Sequence, residues 1–262
     1  MGPQDRWAAL LDILGRDGRL DVADAAAELD ASPATIRRDL DQLAARRLLT
    51  RTRGGAHPAG VAYDLPLRYK TGRFTEEKAR IGAAAAALVP PGSVVAVNGG
   101  TTTSEVARAL AATDGPGGPD PDRPDYTVVT NALNIATELA VRRTVKLVVT
   151  GGVARPSSYE LIGPLAEPSL TRLHLDHVVL GVDGLDPGAG ATADHEGEAA
   201  ITALMVGQAD HVVVVADSSK LGRRSFARIC PLASVGTLVT DTGADPALLA
   251  AFADAGLRVV AV

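Results

Sequence analysis

The chain opens with three stretches in which apolar residues recur at the spacing of an amphipathic helix. Their core-facing positions are Trp7, Leu10, Leu11 and Leu14, then Val22, Ala25, Ala26 and Leu29, and finally Ile36, Leu40 and Leu43. Gly18 separates the first stretch from the second, and Asp30-Ala31-Ser32 makes a tight turn into the third, which is typical of a helix-turn-helix. Residues 48–53 alternate as a short strand that ends at Gly54-Gly55, and this addition predicts a winged helix.

The third stretch carries the most informative surface of the chain. Ser32 can accept a hydrogen bond from an N–H of the first turn, and Pro33 suits the first helical position, so a helix is predicted to start here. Its outer side combines small residues with arginines, as a helix in the major groove of DNA requires. The predicted DNA contacts are Ser32, Thr35, Arg37, Arg38 and Gln42 from this helix, with Arg51 and Arg53 from the wing. The same pattern also fits an ordinary three-helix bundle whose arginines are only solvated.

Charge is distributed unevenly over this first part of the chain. Residues 1–31 hold three Arg against seven Asp and Glu, a net charge of −4, whereas residues 32–53 hold six Arg against two Asp, a net charge of +4. The whole chain carries −5. A basic face on an acidic protein indicates a local footprint for DNA phosphates rather than general binding of polyanions.

Beyond residue 74 the pattern changes to helices that alternate with short Val- and Leu-rich strands, which is typical of a parallel sheet covered on both faces. Strands are predicted at 94–98, 127–130, 145–150, 177–182, 211–216, 236–240 and 258–261, and helices at 75–88, 102–111, 132–141, 161–173, 198–208 and 246–255. The Gly- and Pro-rich segment 113–125 predicts a surface loop. We therefore expect a winged helix-turn-helix at 1–57, a linker at 58–73 and an α/β domain with a mostly parallel sheet at 74–262.

Composition adds three constraints. The chain is 46% hydrophobic and 22% charged, as in globular proteins, and its aromatic content of 3% leaves Ala and Val to fill the core. We find neither a signal-peptide pattern nor an apolar run of about 18 residues, so we expect a cytoplasmic protein without membrane contact. The single cysteine, Cys230, excludes an intrachain disulfide and a zinc site built from several thiolates.

Three loops at strand ends have the composition of an anion-binding site. The first, with Asn98, Gly99, Gly100, Thr101, Thr102 and Thr103, opens a helix, so backbone N–H groups and hydroxyls can surround a phosphate. Asn131, and later Gly151 and Gly152, follow the next two strands, and ligands of open α/β sheets bind beyond such strand ends. The first loop is alternatively a tight turn with Thr as a cap. Because no Lys follows its glycines, it does not have the pattern of a nucleotide-hydrolysing loop.

Charged residues follow the later strands. Asp183 and Lys220 lie at strand ends and Glu198 opens a helix, so each is a candidate ligand contact, although an ordinary surface lysine explains Lys220 as well. His174 and His177 have the spacing of a metal pair without an evident third ligand, so we predict no metal site and no cofactor. His195 lies between two acidic residues and is expected to be a solvated loop histidine.

The segments SPATIRRDL, RTRGGA, GGTTT, TNALNIA, TGG, LIGPLAE, GVDG and ADSSK occur in this order between about residues 6 and 241. Together they resemble the DeoR-type family of bacterial transcriptional regulators. The resemblance implies a winged helix for operator DNA and an effector domain with the fold of ribose-5-phosphate isomerase and CoA transferases. It also implies a phosphorylated sugar as effector, with its phosphate on Gly100, Thr101 and Thr102 and its hydroxyls near Asp183, Glu198 and Lys220.

The chain departs from that family pattern at three positions. Asn98 stands where the family usually has Asp, which removes a charge beside the glycines. It is also expected to change which hydroxyl group of the effector this position contacts. Arg47 stands where Gly usually ends the recognition helix, so either the helix end differs or Arg47 contacts a phosphate. His195 replaces a residue that is commonly Asn, and we assign it no ligand role.

These observations lead to the hypothesis of a metabolite-responsive repressor of carbohydrate genes that is not an enzyme. It is expected to bind two-fold operator DNA as a dimer or tetramer and to respond to its effector by a shift between two arrangements. Two alternatives stay open. One is an isomerase-like enzyme in which Asp183 and Glu198 move a proton, and the other is a regulator whose pocket has lost its ligand.

Overall fold

The computed structural model describes residues 2–17, 19–46, 48–58, 74–112 and 124–262. The chain divides into two compact units, Met1–Arg73 and Phe74–Val262. Arg47, all but the first residue of the predicted linker at 58–73, and residues 113–123 of the predicted loop lie outside the described residues. The expectations for these segments therefore stay predictions. None of the helices within the described ranges is long and apolar enough to cross a membrane.

The N-terminal unit is a winged helix-turn-helix. It contains helices α1 (Pro3–Asp17), α2 (Val22–Glu28) and α3 (Pro33–Ala45), and strands β1 (Leu20–Asp21), β2 (Leu49–Thr52) and β3 (Gly55–Pro58) in the antiparallel order β1-β3-β2. The predicted apolar stripes of all three helices pack into one core. Strand β3 begins at Gly55, close after the end of β2 at Thr52. A Cβ on Gly55 would lie 1.8 Å from the Leu20 carbonyl oxygen. Glycine at this position therefore permits the close pairing of β3 with β1.

One charged residue of α3 points into this core, which the sequence pattern did not predict. Asp39 is 4% exposed, and it accepts hydrogen bonds from Trp7 Nε1 at 2.8 Å and from the Arg6 guanidinium. The hydrogen bond to Asp39 raises the pKa of Arg6. A buried carboxylate is stable only when it is paired and hydrogen-bonded, so these contacts join α3 to α1 through one defined geometry.

The C-terminal unit is an α/β sandwich around a seven-stranded parallel sheet in the order β15-β14-β12-β9-β4-β5-β6. Its strands are β4 (Val94–Val97), β5 (Tyr126–Thr130), β6 (Val145–Val149), β9 (Leu175–Gly181), β12 (Ala209–Val215), β14 (Thr237–Thr240) and β15 (Arg258–Ala261). The helices are α4 (Thr75–Ala86), α5 (Thr101–Ala112), α6 (Leu133–Leu139), α7 (Glu167–Leu170), α8 (Glu196–Gly207) and α9 (Pro246–Asp254). Smaller elements complete it: β7 (Val153–Ala154) pairs with β8 (Leu161–Ile162), and β10 (Gly184–Asp186), β11 (Gly190–Ala193) and β13 (Ala227–Cys230) form a second sheet.

The two faces of the parallel sheet have separate cores because successive side chains of a strand point to opposite sides. Val95, Val97 and Val179 pack on one face with residues of α4, α5 and α6. Val178 and Leu180 pack on the other face with residues of α7, α8 and α9 and of the small sheet. Both faces of the central strands are therefore covered, which confirms the predicted fold class of a winged helix-turn-helix followed by an α/β domain with a mostly parallel sheet.

The predicted helix at 161–173 is wrong. Residues 161–162 form strand β8, and only Glu167–Leu170 are helical. Gly163 adopts a φ of 89° and precedes a proline, a combination that interrupts a helix although the apolar spacing suggested one. The other predicted helices and strands of this unit agree with the structure to within two residues at each end. The short strands of the second sheet were not predicted.

We expect the Asp39→Ala variant to unfold more easily in its N-terminal unit. The substitution leaves the Trp7 indole N–H and the Arg6 guanidinium without their shared acceptor, so the free energy of unfolding should fall by about 2–3 kcal/mol. Trp7 is the only tryptophan of the chain, so its fluorescence during urea denaturation reports this unit.

Asp41→Ala is the matched control on the same helix. The Asp41 side chain is 66% exposed and its ion pair with Arg51 lies at the surface, so the loss should be about 0.5 kcal/mol or less. Equal urea midpoints for the two variants would show that the buried contacts of Asp39 do not stabilise the unit.

Candidate functional site

The carboxyl ends of the parallel strands bring the predicted ligand-binding loops to one edge of the sheet. Strand β4 leads into Asn98, β5 into Asn131, β9 toward Asp183 and β12 toward Lys220. Contacts between these loops join them into one polar region, which we call the carboxyl-edge site. It is composed of Asn98 to Thr103, Asn131, Arg155, Glu160, Asp183, Glu198 and Lys220.

The glycine loop of this site ends at the start of α5. Gly100 adopts a φ of 151°, and its carbonyl oxygen accepts hydrogen bonds from both the backbone and the hydroxyl of Ser104. The N–H groups of the first helical turn have no acceptor within the helix, so they give this end a partial positive charge. Thr103 is fully buried, and its Oγ1 has no hydrogen-bond partner among the described residues. Donors and a hydroxyl therefore converge where an anion would be stabilised.

Asn98 fastens two central strands together. Its Nδ2 donates to the carbonyl oxygen of Gly181 at 3.0 Å, and its Oδ1 accepts from the N–H of the same residue at 2.8 Å. Nδ2 also lies 3.5 Å from Thr202 Oγ1 on α8. Both polar atoms of the amide are thus used within the protein, and an Asp could not donate to the carbonyl. The geometry supports a positioning role for Asn98, whereas its predicted contact with a ligand stays a prediction.

Asn131 connects the glycine loop to the β7–β8 hairpin. Its Nδ2 donates to Glu160 Oε2 at 2.8 Å, and the backbone around Asn131 exchanges hydrogen bonds with residues 159 and 161. A Cβ placed on Gly99 would lie 2.5 Å from Glu160 Oε1, so the carboxylate packs directly against this glycine. Asn131 Oδ1 is buried without a hydrogen-bond partner among the described residues. The loop between β7 and β8 therefore forms one wall of the site.

Two ion pairs line the same edge. Arg155 Nη1 lies 3.1 Å from Glu198 Oε1, with side-chain exposures of 17% and 11%, and Lys220 Nζ lies 3.5 Å from Asp183 Oδ1, with exposures of 24% and 18%. Asp183 also accepts from the N–H of Asp194. Because partly buried charges are costly when unpaired, a ligand at this edge would have to keep each of these charges compensated.

Other predicted residues shape the backbone of the site. Gly151 and Gly152 adopt φ values of 77° and 125° as the chain turns from β6 into β7. His195 is a helix cap, since its Nδ1 accepts from the N–H of Gly197 at the start of α8. His195 lies in the bend before α8 with its side chain 28% exposed, so the expected loop position agrees with the structure, and the capping contact was not predicted. Burial raises the pKa of the Cys230 thiol, which keeps it protonated and inert.

Sequence reasoning missed Arg155 and Glu160. Both lie in the hairpin around β7 and β8, where part of the segment was predicted to be helical. Neither residue follows a strand of the main sheet, so the rule that ligands bind beyond strand ends did not select them. The available signal was the turn composition of residues 155–160, RPSSYE, between two short apolar pairs.

The N-terminal unit presents the predicted DNA-binding face. Ser32 Oγ accepts from the N–H of Thr35 at 3.1 Å and lies 2.8 Å from its hydroxyl, so both side chains form the cap of α3. Arg37, Arg38 and Gln42 are exposed along the helix, and Arg53 is exposed at the wing turn. Arg46 follows the last residue of α3, and its guanidinium lies 4.5 Å from the centre of the Trp7 ring of α1. This contact packs the end of α3 against α1.

Arg51 has a different position from the other arginines. Its Nε donates to Asp41 of α3 at 2.8 Å and its Nη1 donates to the Gly55 carbonyl oxygen at 2.7 Å. It therefore fixes the wing against the helix. Its predicted DNA contact stays a prediction, and the structure supports a positioning role for it.

The winged helix and the α/β sandwich define a class, the two-domain DNA-binding regulators of transcription. The family model described as DeoR-like helix-turn-helix domain matches residues 6–59, and the model described as DeoR C terminal sensor domain matches residues 73–242. The chain belongs to the DeoR family, as its motifs predicted, and is a DNA-binding transcriptional regulator.

Relatives match over nearly the whole chain. The HTH-type transcriptional regulator GlpR of Haloferax volcanii is 36% identical over 262 residues, which cover 99% of this chain and 98% of that protein. The glycerol-3-phosphate regulon repressor of Escherichia coli is 28% identical and covers 92% of each chain. Among solved structures, ribose 5-phosphate isomerase A from Methanocaldococcus jannaschii is 17% identical over 56% of this chain and 55% of that chain, with a TM-score of 0.41.

We expect Gly99→Ala to disturb the carboxyl-edge site. The added methyl group would overlap the buried Glu160 side chain, which Asn131 holds in place, so the free energy of unfolding of the α/β unit should fall by about 1–3 kcal/mol. Thermal unfolding followed by far-UV circular dichroism measures the change.

Gly207→Ala is the control with the same chemistry in the same unit. A Cβ at Gly207 meets nothing within 4 Å, and the residue is helical, so this variant should be as stable as the parent chain or up to about 1 kcal/mol more stable. A Gly99→Ala protein that also keeps its full stability would contradict the tight packing of Glu160.

Proposed function

We propose that this protein represses genes of carbohydrate metabolism by binding operator DNA through α3 and the wing, and that a phosphorylated sugar relieves the repression. The observation that carries the proposal is a capped helix with exposed arginines, α3, in a chain whose second unit begins the helix α5 directly after a glycine loop. The names of the relatives support the same activity, since the Escherichia coli protein is a glycerol-3-phosphate regulon repressor. The protein would act in the cytoplasm, where its DNA lies.

The DNA-binding face is built to enter a groove as a rigid body. Asp39 fixes α3 to α1 through Trp7, and Arg51 fixes the wing to α3 through Asp41. Little conformational entropy would therefore be lost when this face binds DNA. Arg37 and Arg38 are exposed on the helix, where a guanidinium can pair with guanine edges or phosphates. The backbone near the capped start of α3 and Arg53 of the wing would contact phosphates.

We expect Arg38→Ala to weaken operator binding by about 1–3 kcal/mol, which is roughly 5- to 150-fold in Kd, if Arg38 reads a guanine. The Kd is measured by gel shift at several salt concentrations. A base contact should lower affinity for the operator far more than for random DNA and leave the salt dependence nearly unchanged, whereas a phosphate contact lowers both affinities and reduces the salt slope.

Arg142→Ala serves as the control, because Arg142 is an exposed arginine of the α/β unit. It should keep the parent affinity. If Arg38→Ala binds the operator as tightly as this control, Arg38 does not contact the DNA.

The effector would bind at the carboxyl-edge site. The start of α5, with Thr101 and Thr102 beside the buried Thr103, would hold its phosphate. The carboxylates Asp183 and Glu198 would accept hydrogen bonds from hydroxyls, while Lys220 and Arg155 compensate their charge. Both carboxylates already pair with a cation, which disfavours the alternative in which they shuttle a proton.

We expect sugar phosphates to raise the unfolding temperature of the purified protein in a thermal-shift screen, and the corresponding unphosphorylated sugars to have no effect. Ligand at about 100 times its Kd stabilises the bound state by about 2.7 kcal/mol. Thr101→Val removes one hydroxyl at the start of α5 while keeping the side-chain shape, so its shift should be smaller at the same concentration.

The outcomes of this screen separate the three hypotheses. No shift with any sugar phosphate would favour a regulator whose pocket has lost its ligand. Conversion of a pentose phosphate by the purified protein would show an isomerase-like enzyme instead. Sedimentation with and without operator DNA would determine whether the expected homo-oligomer is a dimer or a tetramer, since two-fold operators bind symmetric oligomers.

A further inference from the structure

A cluster of histidine and aspartate lies at the opposite, amino-terminal edge of the parallel sheet. His174 directly precedes β9, Asp176 lies in β9, and Asp210 lies in the neighbouring strand β12. Each offers one ligand atom, and the three atoms lie within 4.8 Å of one another. The cluster shares no residue with the carboxyl-edge site.

The register of the two strands brings the carboxylates together. Ala209 pairs with Leu175 and His211 pairs with His177 in parallel alignment, so Asp210 lies beside Asp176 on the same face of the sheet. Like charges in such neighbouring positions repel each other and destabilise a sheet unless a cation is present. The chain nevertheless holds both, and a metal ion would remove the repulsion.

Hydrogen bonds orient the ligands. Val94 donates its N–H to Asp176 Oδ2 at 2.7 Å, which positions that carboxylate and leaves its second oxygen for another partner. His174 Nε2 lies 3.1 Å from Asp210 Oδ2. Two ligands of one tetrahedral zinc ion are about 3.4 Å apart, given bond lengths near 2.1 Å, so the His174–Asp210 pair already has a suitable separation. The three ligand atoms lie within 4.8 Å of one another, so rotation of the exposed side chains has to bring them closer when an ion binds. The side chains of His174 and Asp210 are 68% and 59% exposed, which gives an ion and its water direct access.

Further imidazoles adjoin the cluster. His177 and His211 lie side by side with ring centroids 5.0 Å apart, and they share with Asp176 and Asp210 an open cavity of about 420 Å³. His177 Nδ1 is buried without a hydrogen-bond partner among the described residues. Side chains alternate along β9 and β12, so His177 and His211 lie on the sheet face opposite to Asp176 and Asp210 and are not counted among the ligands of the same ion.

We propose that His174, Asp176 and Asp210 form a binding site for a divalent transition metal ion of the zinc type, with water completing the coordination. One imidazole and two carboxylates suit such an ion, whereas Mg²⁺ prefers oxygen ligands alone. The ion links the starts of β9 and β12 when it binds. It thereby stabilises the α/β unit from the edge that the effector does not use.

Titration of the full-length protein, freed of metal by a chelator, with Zn²⁺ tests the site. Calorimetry should show one Zn²⁺ per chain, and far-UV circular dichroism should show a higher unfolding temperature with Zn²⁺ but not with the same concentration of Mg²⁺. Co²⁺ as a probe should give the visible absorption of a tetrahedral site. His174→Ala and Asp210→Asn should each weaken Zn²⁺ binding by about 10-fold or more, since loss of even an outer partner of a metal ligand costs that much.

Two controls make the result decisive. His57→Ala removes a histidine of the other unit and should leave Zn²⁺ affinity unchanged. His177→Ala separates the proposed cluster from the imidazole pair: affinity lost in this variant but kept in His174→Ala would move the metal to His177 and His211 and overturn the proposal. Equal Zn²⁺ affinity in all variants, or none in the parent chain, would overturn it as well. Both proposed ligands chosen for substitution are exposed, so folding is not expected to change.

Discussion

The link between Asn98 and Gly181 is the interaction on which the ligand-binding part of this structure depends. The amide donates to and accepts from a single residue of the neighbouring strand, so the end of β4 and the end of β9 are held at one distance. The glycine loop and the start of α5 follow directly from the first strand, and Asp183 follows from the second. A carboxylate at residue 98 could make only one of these two hydrogen bonds. Asn98 therefore sets the geometry of the loops that follow these two strands.

A comparable constraint governs the N-terminal unit. Asp39 is a charge buried in the recognition helix, and it is satisfied by Trp7 and Arg6 of α1. These contacts fix the rotation of α3 about its own axis, and Arg37 and Arg38 therefore stay exposed to solvent. Any rotation of the helix would leave the Asp39 carboxylate and its two donors unpaired. In both units, a buried polar side chain with all its partners in place gives an exposed surface its fixed orientation.

The two ends of the strands in the parallel sheet carry different sets of charged side chains. Backbone N–H groups at the start of α5 and the pairs Arg155–Glu198 and Lys220–Asp183 lie at the carboxyl ends of the strands, where we propose that the effector binds. The amino-terminal edge holds a histidine and two aspartates, and the site that we propose there would take a cation. The two proposed sites share no residue, so each can be tested by substitutions that leave the other unchanged.

The sequence by itself determined the winged helix, the seven strands of the main parallel sheet with most of the helices between them, and the loops that meet at its carboxyl edge. These features depend on local spacing and on the rule that parallel strands end together. It did not determine the roles of Asp39, Arg155 and Glu160, since each depends on a partner far away in the chain. It also did not determine that Asp210 lies close to His174 and Asp176. Only the tertiary structure decides such contacts, because strand register and packing bring Asp210 beside Asp176, and Glu160 onto Gly99, at distances that no local pattern records.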